Sequence, residues 1–191
     1  KSGKVAQAYL FAGPESVGKF TLAKIFAFGL IENKKNWMDQ ESLENKANVD
    51  LIIVEPEKEE KGGVIKEKDI SIEQMKEAKN FLFTFPVKGK YKALIINDAH
   101  RMTGSTQNSL LKILEEPNST ALIILITHRP EKIFSTLKSR CRRINFSLVE
   151  EKSIKEGLKQ MKIKAEDKIF KFSLGRPGII LRLIQDKKFF D

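Results

Sequence analysis

The chain has 191 residues, 41% of them apolar, enough for one substantial core and a small satellite unit. Its single cysteine excludes an internal disulfide framework, no apolar run approaches the roughly 20 residues that span a bilayer, and no charged-then-apolar leader opens the sequence, so a reducing cytoplasm and no membrane are expected. The formal charge of +10 is compatible with contact to DNA phosphates, but the lysines are scattered along the chain and a solvated lysine-rich surface accounts for most of it.

In chain order, residues 9–12 read as a buried strand. It runs into Gly13-Pro14-Glu15-Ser16-Val17-Gly18-Lys19, which fits the first seven positions of the phosphate-binding loop pattern. Small residues there let backbone N–H groups converge on phosphate, and the lysine reaches the outer phosphates. Gly13, Ser16, Gly18 and Lys19 are therefore candidate nucleotide-binding residues. The eighth position calls for Ser or Thr to hold magnesium, and Phe20 has no oxygen to offer. Thr21 follows, but one step along a helix turns its hydroxyl by about 100°. The helix is expected over residues 19–30. Residues 32–49, rich in Lys, Asn and Glu, read as a surface connection or short helix, and 50–55 as a second strand. Gly62-Gly63 amid charges makes 57–67 a mobile surface loop. Ser71 caps a helix over 71–83, and Pro86 with Gly89 separates it from a strand over 91–98.

That third strand carries the second half of a nucleotide site. Ala93-Leu94-Ile95-Ile96 is an apolar run of the fully buried type and ends in Asn97-Asp98-Ala99-His100. Acidic residues at such a strand end hold the metal through water and polarise the attacking water, and the usual pair is Asp then Glu. Asn97 is neutral and Asp98 one methylene short, so both metal and water lose support. The plainer alternative is that Asn97 and Asp98 end a strand and start a turn, as these residue types commonly do. Hydrolysis in this site is not expected, although the loop and Lys19 can still hold a nucleotide phosphate. A helix over 105–116, a strand over 121–127, a helix over 130–138 and a strand over 141–146 follow. The βαβ alternation predicts an α/β fold with a mainly parallel sheet and helices on both faces. After Leu148 the strands end, and 149–162, 165–173 and 178–189 read as three helices.

Ala8-Tyr9-Leu10-Phe11 before the loop, Asn108 to Pro117, and Ile126-Thr127-His128-Arg129-Pro130 through Ser139-Arg140-Cys141-Arg142-Arg143 together resemble the delta prime subunits of bacterial DNA polymerase III clamp loaders. These are AAA+ proteins similar to the ATP-hydrolysing gamma and tau subunits. The resemblance runs from about Val5 to Leu183 and implies a P-loop AAA+ domain over 1–148 followed by a small helical lid over 149–191. The helical collar domain of the family is expected to be absent from this chain. The resemblance also implies that Arg140 is an arginine finger, supplied in trans to a neighbouring ATPase subunit. A guanidinium suits that role because it is permanently charged and flat, with donors that bracket phosphate oxygens. The plainer alternative is a basic strand edge beside Arg142 and Arg143. Thr127 matches a position that senses the terminal phosphate, and Arg176, in Gly175-Arg176-Pro177-Gly178, lies near the second sensor, whose best-matching position holds Ile179. Arg182 lies most of a helical turn away and reads, like Arg176, more readily as a surface arginine.

Departures matter as much. Family members often carry four cysteines binding zinc, whereas Cys141 stands alone and the two histidines, His100 and His128, read as isolated, so no four-ligand zinc site is expected. Cys141 reads as a packed strand residue without chemistry. The resemblance implies a non-hydrolysing clamp-loader subunit within a DNA-directed DNA polymerase (nucleotidyltransferase) holoenzyme, with gamma/tau and delta subunits, the sliding clamp and primed DNA as partners. No cofactor is required on this reading, though ATP or ADP could be bound without hydrolysis. The alternative is an active AAA+ ATPase using Lys19, Asp98 and Thr127 in its own site.

Overall fold

The computed structural model describes residues 5–32, 48–116 and 118–185, so most of the connection expected over 32–49 lies outside the described residues. Five parallel strands form the main sheet: β1 (Ala8–Ala12), β2 (Leu51–Val54), β5 (Lys92–Ile96), β6 (Ala121–Thr127) and β7 (Arg142–Asn145), in the order β2-β5-β6-β1-β7. The three inner strands are buried along their whole length, which is why β5 and β6 read as nearly unbroken apolar runs.

Alternation within the strands builds two cores. Leu10, Leu94, Ile96, Ile123 and Leu125 face α2 (Ile72–Phe83), α3 (Gly104–Glu115) and α4 (Ser135–Arg140) through Met75, Ala78, Leu110, Ile113 and Leu137. Tyr9, Phe11, Ile95, Leu122 and Ile124 face α1 (Lys19–Glu32) through Ala23, Ala27 and Ile31. The i, i+4 spacing of those three residues puts them on one stripe of the helix. Helices thus cover both faces of the sheet, as expected. Ser71 closes α2 with a full capping box, its Oγ accepting from Gln74 N while Gln74 Oε1 accepts from Ser71 N.

Two expectations are corrected. Residues 57–67 are not an irregular loop but an antiparallel hairpin of β3 (Lys58–Lys61) and β4 (Val64–Glu67), turning on Gly62 and Gly63, both at positive φ. Two consecutive left-handed residues are what a two-residue hairpin turn needs, and opposite charges face each other across it, Lys58 with Glu67 and Glu59 with Lys66. The helix expected over 130–138 is split into a 3₁₀ turn (Pro130–Lys132) and α4. Gln107 causes the break: its amide donates to Lys132 O at 3.1 Å while its Oε1 accepts from Phe134 N at 2.8 Å. As a result Arg140 is the last residue of a helix, and Cys141 caps that helix rather than opening the strand.

Beyond residue 150, α5 (Glu151–Gln160), α6 (Asp167–Ser173) and α7 (Pro177–Gln185) enclose a separate small core of Ile154, Leu158, Ile169, Phe170 and Ile180.

Candidate nucleotide-binding cleft

In parallel α/β sheets ligands collect beyond the carboxyl ends of the strands, and the register brings the ends of β1, β5 and β6 together here. Gly13 leaves β1 with its N–H donating to Thr127 O at 3.2 Å. Its φ is 153°, and a Cβ at this position would lie 2.3 Å from Phe146 O, so only glycine passes between the neighbouring strand ends. Ser16 (φ 61°) and Gly18 (φ 93°) then curl the loop into α1. Lys19 is buried, with Nζ donating to Gly13 O at 2.9 Å and to Pro14 O. Burial pushes its pKa down, while the nearby Asp98 and Glu15 carboxylates pull it back up.

Phe20 packs partly into the core against α1's side of the sheet, and both it and Thr21 line the cleft. Asp98 follows β5 in a left-handed conformation (φ 49°) and starts a 3₁₀ turn, yet its side chain caps none of the turn's N–H groups. It faces the cleft instead, and burial raises its carboxyl pKa, partly offset by His128. Asn97 lines the cleft beside it. Thr127 is fully buried and turned inward: its Oγ1 accepts from Arg129 N at 2.9 Å and lies 3.3 Å from His100 Nδ1.

The histidines are not isolated, contrary to the sequence reading. His100, just past β5, and His128, just past β6, stack edge to face with centroids 4.2 Å apart. His128 Nε2 lies 2.8 Å from Glu15 Oε1 and its Nδ1 lies 3.6 Å from Asp98 Oδ1. Burial, aided by neighbouring positive groups, pushes His100 down to about 4. Sequence reading could have found this pair only through the strand register, since each histidine alone is unremarkable in its turn.

Across the cleft the start of α7 contributes Gly178, whose N–H donates to Ser16 O at 2.8 Å, and Arg182, whose guanidinium hydrogen-bonds Ser16 Oγ. Arg182 lines the cleft and Arg176 does not; the Nε of Arg176 is buried elsewhere. The cleft holds about 620 Å³. Its donors fit a phosphate: a glycine-rich loop, Lys19 and Arg182 converge on one space. Its acceptors fit magnesium poorly, because Phe20 supplies no oxygen and Thr127 is spent on other bonds.

Arg140 stands elsewhere. It precedes β7, which runs parallel to β1, so it lies at the amino end of the sheet, opposite the cleft. Its side chain is 40% exposed and is held by Glu115 at 3.1 Å and by Thr136 O at 3.1 Å.

The chain matches the family model described as DNA polymerase III, delta subunit, over residues 1–150. It is 32% identical over 161 residues to DNA polymerase III subunit delta' of Bacillus subtilis, covering 81% of this chain and 46% of that protein. It is 30% identical over 161 residues to DNA polymerase III subunit gamma/tau of Mycobacterium tuberculosis, covering 81% of this chain and 26% of that protein. The chain thus spans less than half the length of these relatives. Among solved structures it resembles a DNA polymerase III gamma subunit-related protein of Thermotoga maritima, with TM-score 0.54 and 22% identity over 82% of this chain and 49% of that one. It also resembles the RuvB Holliday junction branch migration motor of the same organism, with TM-score 0.56 and 21% identity over 96% of this chain and 54% of that one. At these identities the structures bear on the fold alone, and that fold is the P-loop AAA+ architecture.

Proposed function

The chain belongs to the family described as DNA polymerase III, delta subunit, and from that premise we propose that it is a non-hydrolysing, delta prime-type subunit of a clamp loader. In this role it lends Arg140 to a neighbouring ATPase and helps place the sliding clamp on primed DNA. The observation that carries the reading is the contrast inside one cleft. Ser16, Gly18 and Lys19 line the cleft on the loop that Gly13 opens, whereas Phe20, Asn97 and Asp98 stand where magnesium and water would be handled and lack the oxygen, charge or length for it. Lys19 donates to its own loop's carbonyls, so the cleft can hold ATP or ADP phosphates only by exchanging those bonds. Arg140 cannot reach this cleft from the other end of the sheet, which favours a phosphate on another chain. Gamma/tau and delta subunits are the proposed neighbours, in the cytoplasm, within the polymerase (nucleotidyltransferase) holoenzyme.

The test is ATP hydrolysis by the purified full-length protein with radiolabelled ATP and magnesium. Turnover is expected at background, unchanged by Lys19→Ala. Magnesium-dependent turnover at ordinary AAA+ rates, abolished by Lys19→Ala, overturns the reading in favour of an active ATPase using Lys19 and Asp98 in its own site.

A further inference from the structure

The histidine pair is not needed by a phosphate cradle, and it lies in the same cleft as Asp98. One potential ligand atom from each of Asp98, His100 and His128 falls within 4.8 Å of the others. We propose that these three residues bind a divalent transition-metal ion of the zinc, cobalt and nickel class. The proposal does not depend on whether the chain hydrolyses ATP.

Three observations carry it. The first is distance. Ligand atoms around tetrahedral zinc, each about 2.0–2.1 Å from the metal, lie roughly 3.4 Å apart. Asp98 Oδ1 already lies 3.6 Å from His128 Nδ1 and 4.0 Å from His100 Nδ1, so closing the site takes shifts of roughly an ångström or less at those edges. The second is the outer partner. Glu15 Oε1, 2.8 Å from His128 Nε2, accepts that ring's N–H and so leaves Nδ1 as the atom with a lone pair toward Asp98. A carboxylate behind a ligating imidazole is the usual way of fixing its tautomer and orientation. The third is the donor set. Two imidazole nitrogens and one carboxylate select borderline transition ions, whereas magnesium demands oxygen ligands in near-octahedral array. The remaining positions of the ion open into the cleft beside Lys19. His100 Nδ1 also lies near Thr127 Oγ1, so binding exchanges that hydrogen bond for the metal.

The test uses the full-length protein, freed of any affinity tag, stripped with chelator and titrated with cobalt chloride, read by d–d absorption and calorimetry. One equivalent should bind with nitrogen–oxygen bands and no thiolate charge transfer; zinc should displace it and magnesium in large excess should not. His128→Gln should abolish saturable binding. Glu15→Gln, a change at an exposed loop residue that leaves all three ligands in place, should weaken affinity about tenfold or more. Circular dichroism confirms that both variants are folded. Absence of saturable cobalt uptake, displacement by magnesium, or unchanged affinity in either variant overturns the site.

Discussion

Arg140, the proposed finger, is held by a surface ion pair that constrains its side chain little. Its contact with Glu115 is half exposed on both sides, and pairs of that kind contribute about 0–1 kcal/mol. Breaking it to swing the guanidinium toward a neighbouring chain therefore costs little, while a finger reaching a γ-phosphate can contribute about 10³ to 10⁵ in rate. Arg140→Ala in the full-length protein should shift unfolding free energy by no more than about 1 kcal/mol. In the reconstituted loader it should slow hydrolysis at the site it serves by about 10³-fold or more. Arg142→Ala, in β7, is the control for general basicity and should matter less. Equal rates for wild type and Arg140→Ala, at saturating clamp and primed DNA, refute the finger. The neighbouring Cys141 contributes packing only, since burial raises its thiol to about 11 and leaves almost no thiolate at neutral pH.

At the scale of elements, the chain between α2 and β5 is tied down by one buried carboxylate. Asp50 has no exposed surface, and it accepts from Val87 N at 2.8 and 3.0 Å and from Lys88 N at 2.6 Å. Phe85 and Val87 are 82% and 74% exposed, so apolar burial does not hold this segment. Asp50→Ala leaves two N–H groups without their acceptor, and a hydrogen bond to a charged group contributes about 1.5–3 kcal/mol, so a loss of about 3 kcal/mol is expected in urea unfolding. A loss below about 1 kcal/mol would mean that water replaces the carboxylate freely. Asp50 illustrates what was and was not legible in the sequence. The buried strands and the capping box of Ser71 could be read because their signals are local. Asp50 reads as the start of a strand, and its real partners lie at Val87 and Lys88. The β3–β4 hairpin does not show in the sequence because its strands are charged and exposed, leaving Gly62-Gly63 as the cue. The break before α4 has no local signal because Gln107, on another helix, imposes it. In the cleft, the loop residues and Asp98 were legible from spacing, whereas the approach of His100 to His128 arises only from the pairing of β5 with β6.

At the scale of the whole molecule, the C-terminal helical unit has, among the described residues, a core of five buried apolar side chains of its own, and it meets the loop after β1 at Ser16. Ser16 is held from two sides, by the Gly178 N–H on its carbonyl and by Arg182 on its hydroxyl. Gly178 permits the approach because a Cβ there would lie 3.0 Å from Ser16 O, tighter than a side chain tolerates without a shift. From sequence both Arg176 and Arg182 read as surface arginines; the helical phase of α7 instead turns Arg182 to the cleft, one turn beyond Gly178, and leaves Arg176 outside it. An exposed arginine that bridges two units contributes little to either fold but biases how often they part, since weakly packed units open locally with small free energies. Arg182→Ala should therefore leave amide exchange in β1, β5 and β6 unchanged and accelerate exchange across α7 and at the loop amides near Ser16, by about tenfold if the bond contributes about 1.4 kcal/mol to closure. Hydrogen exchange read by mass spectrometry resolves the two regions. Unchanged exchange over α7 would mean that the helical unit is held by its backbone contact at Gly178 and not by the arginine.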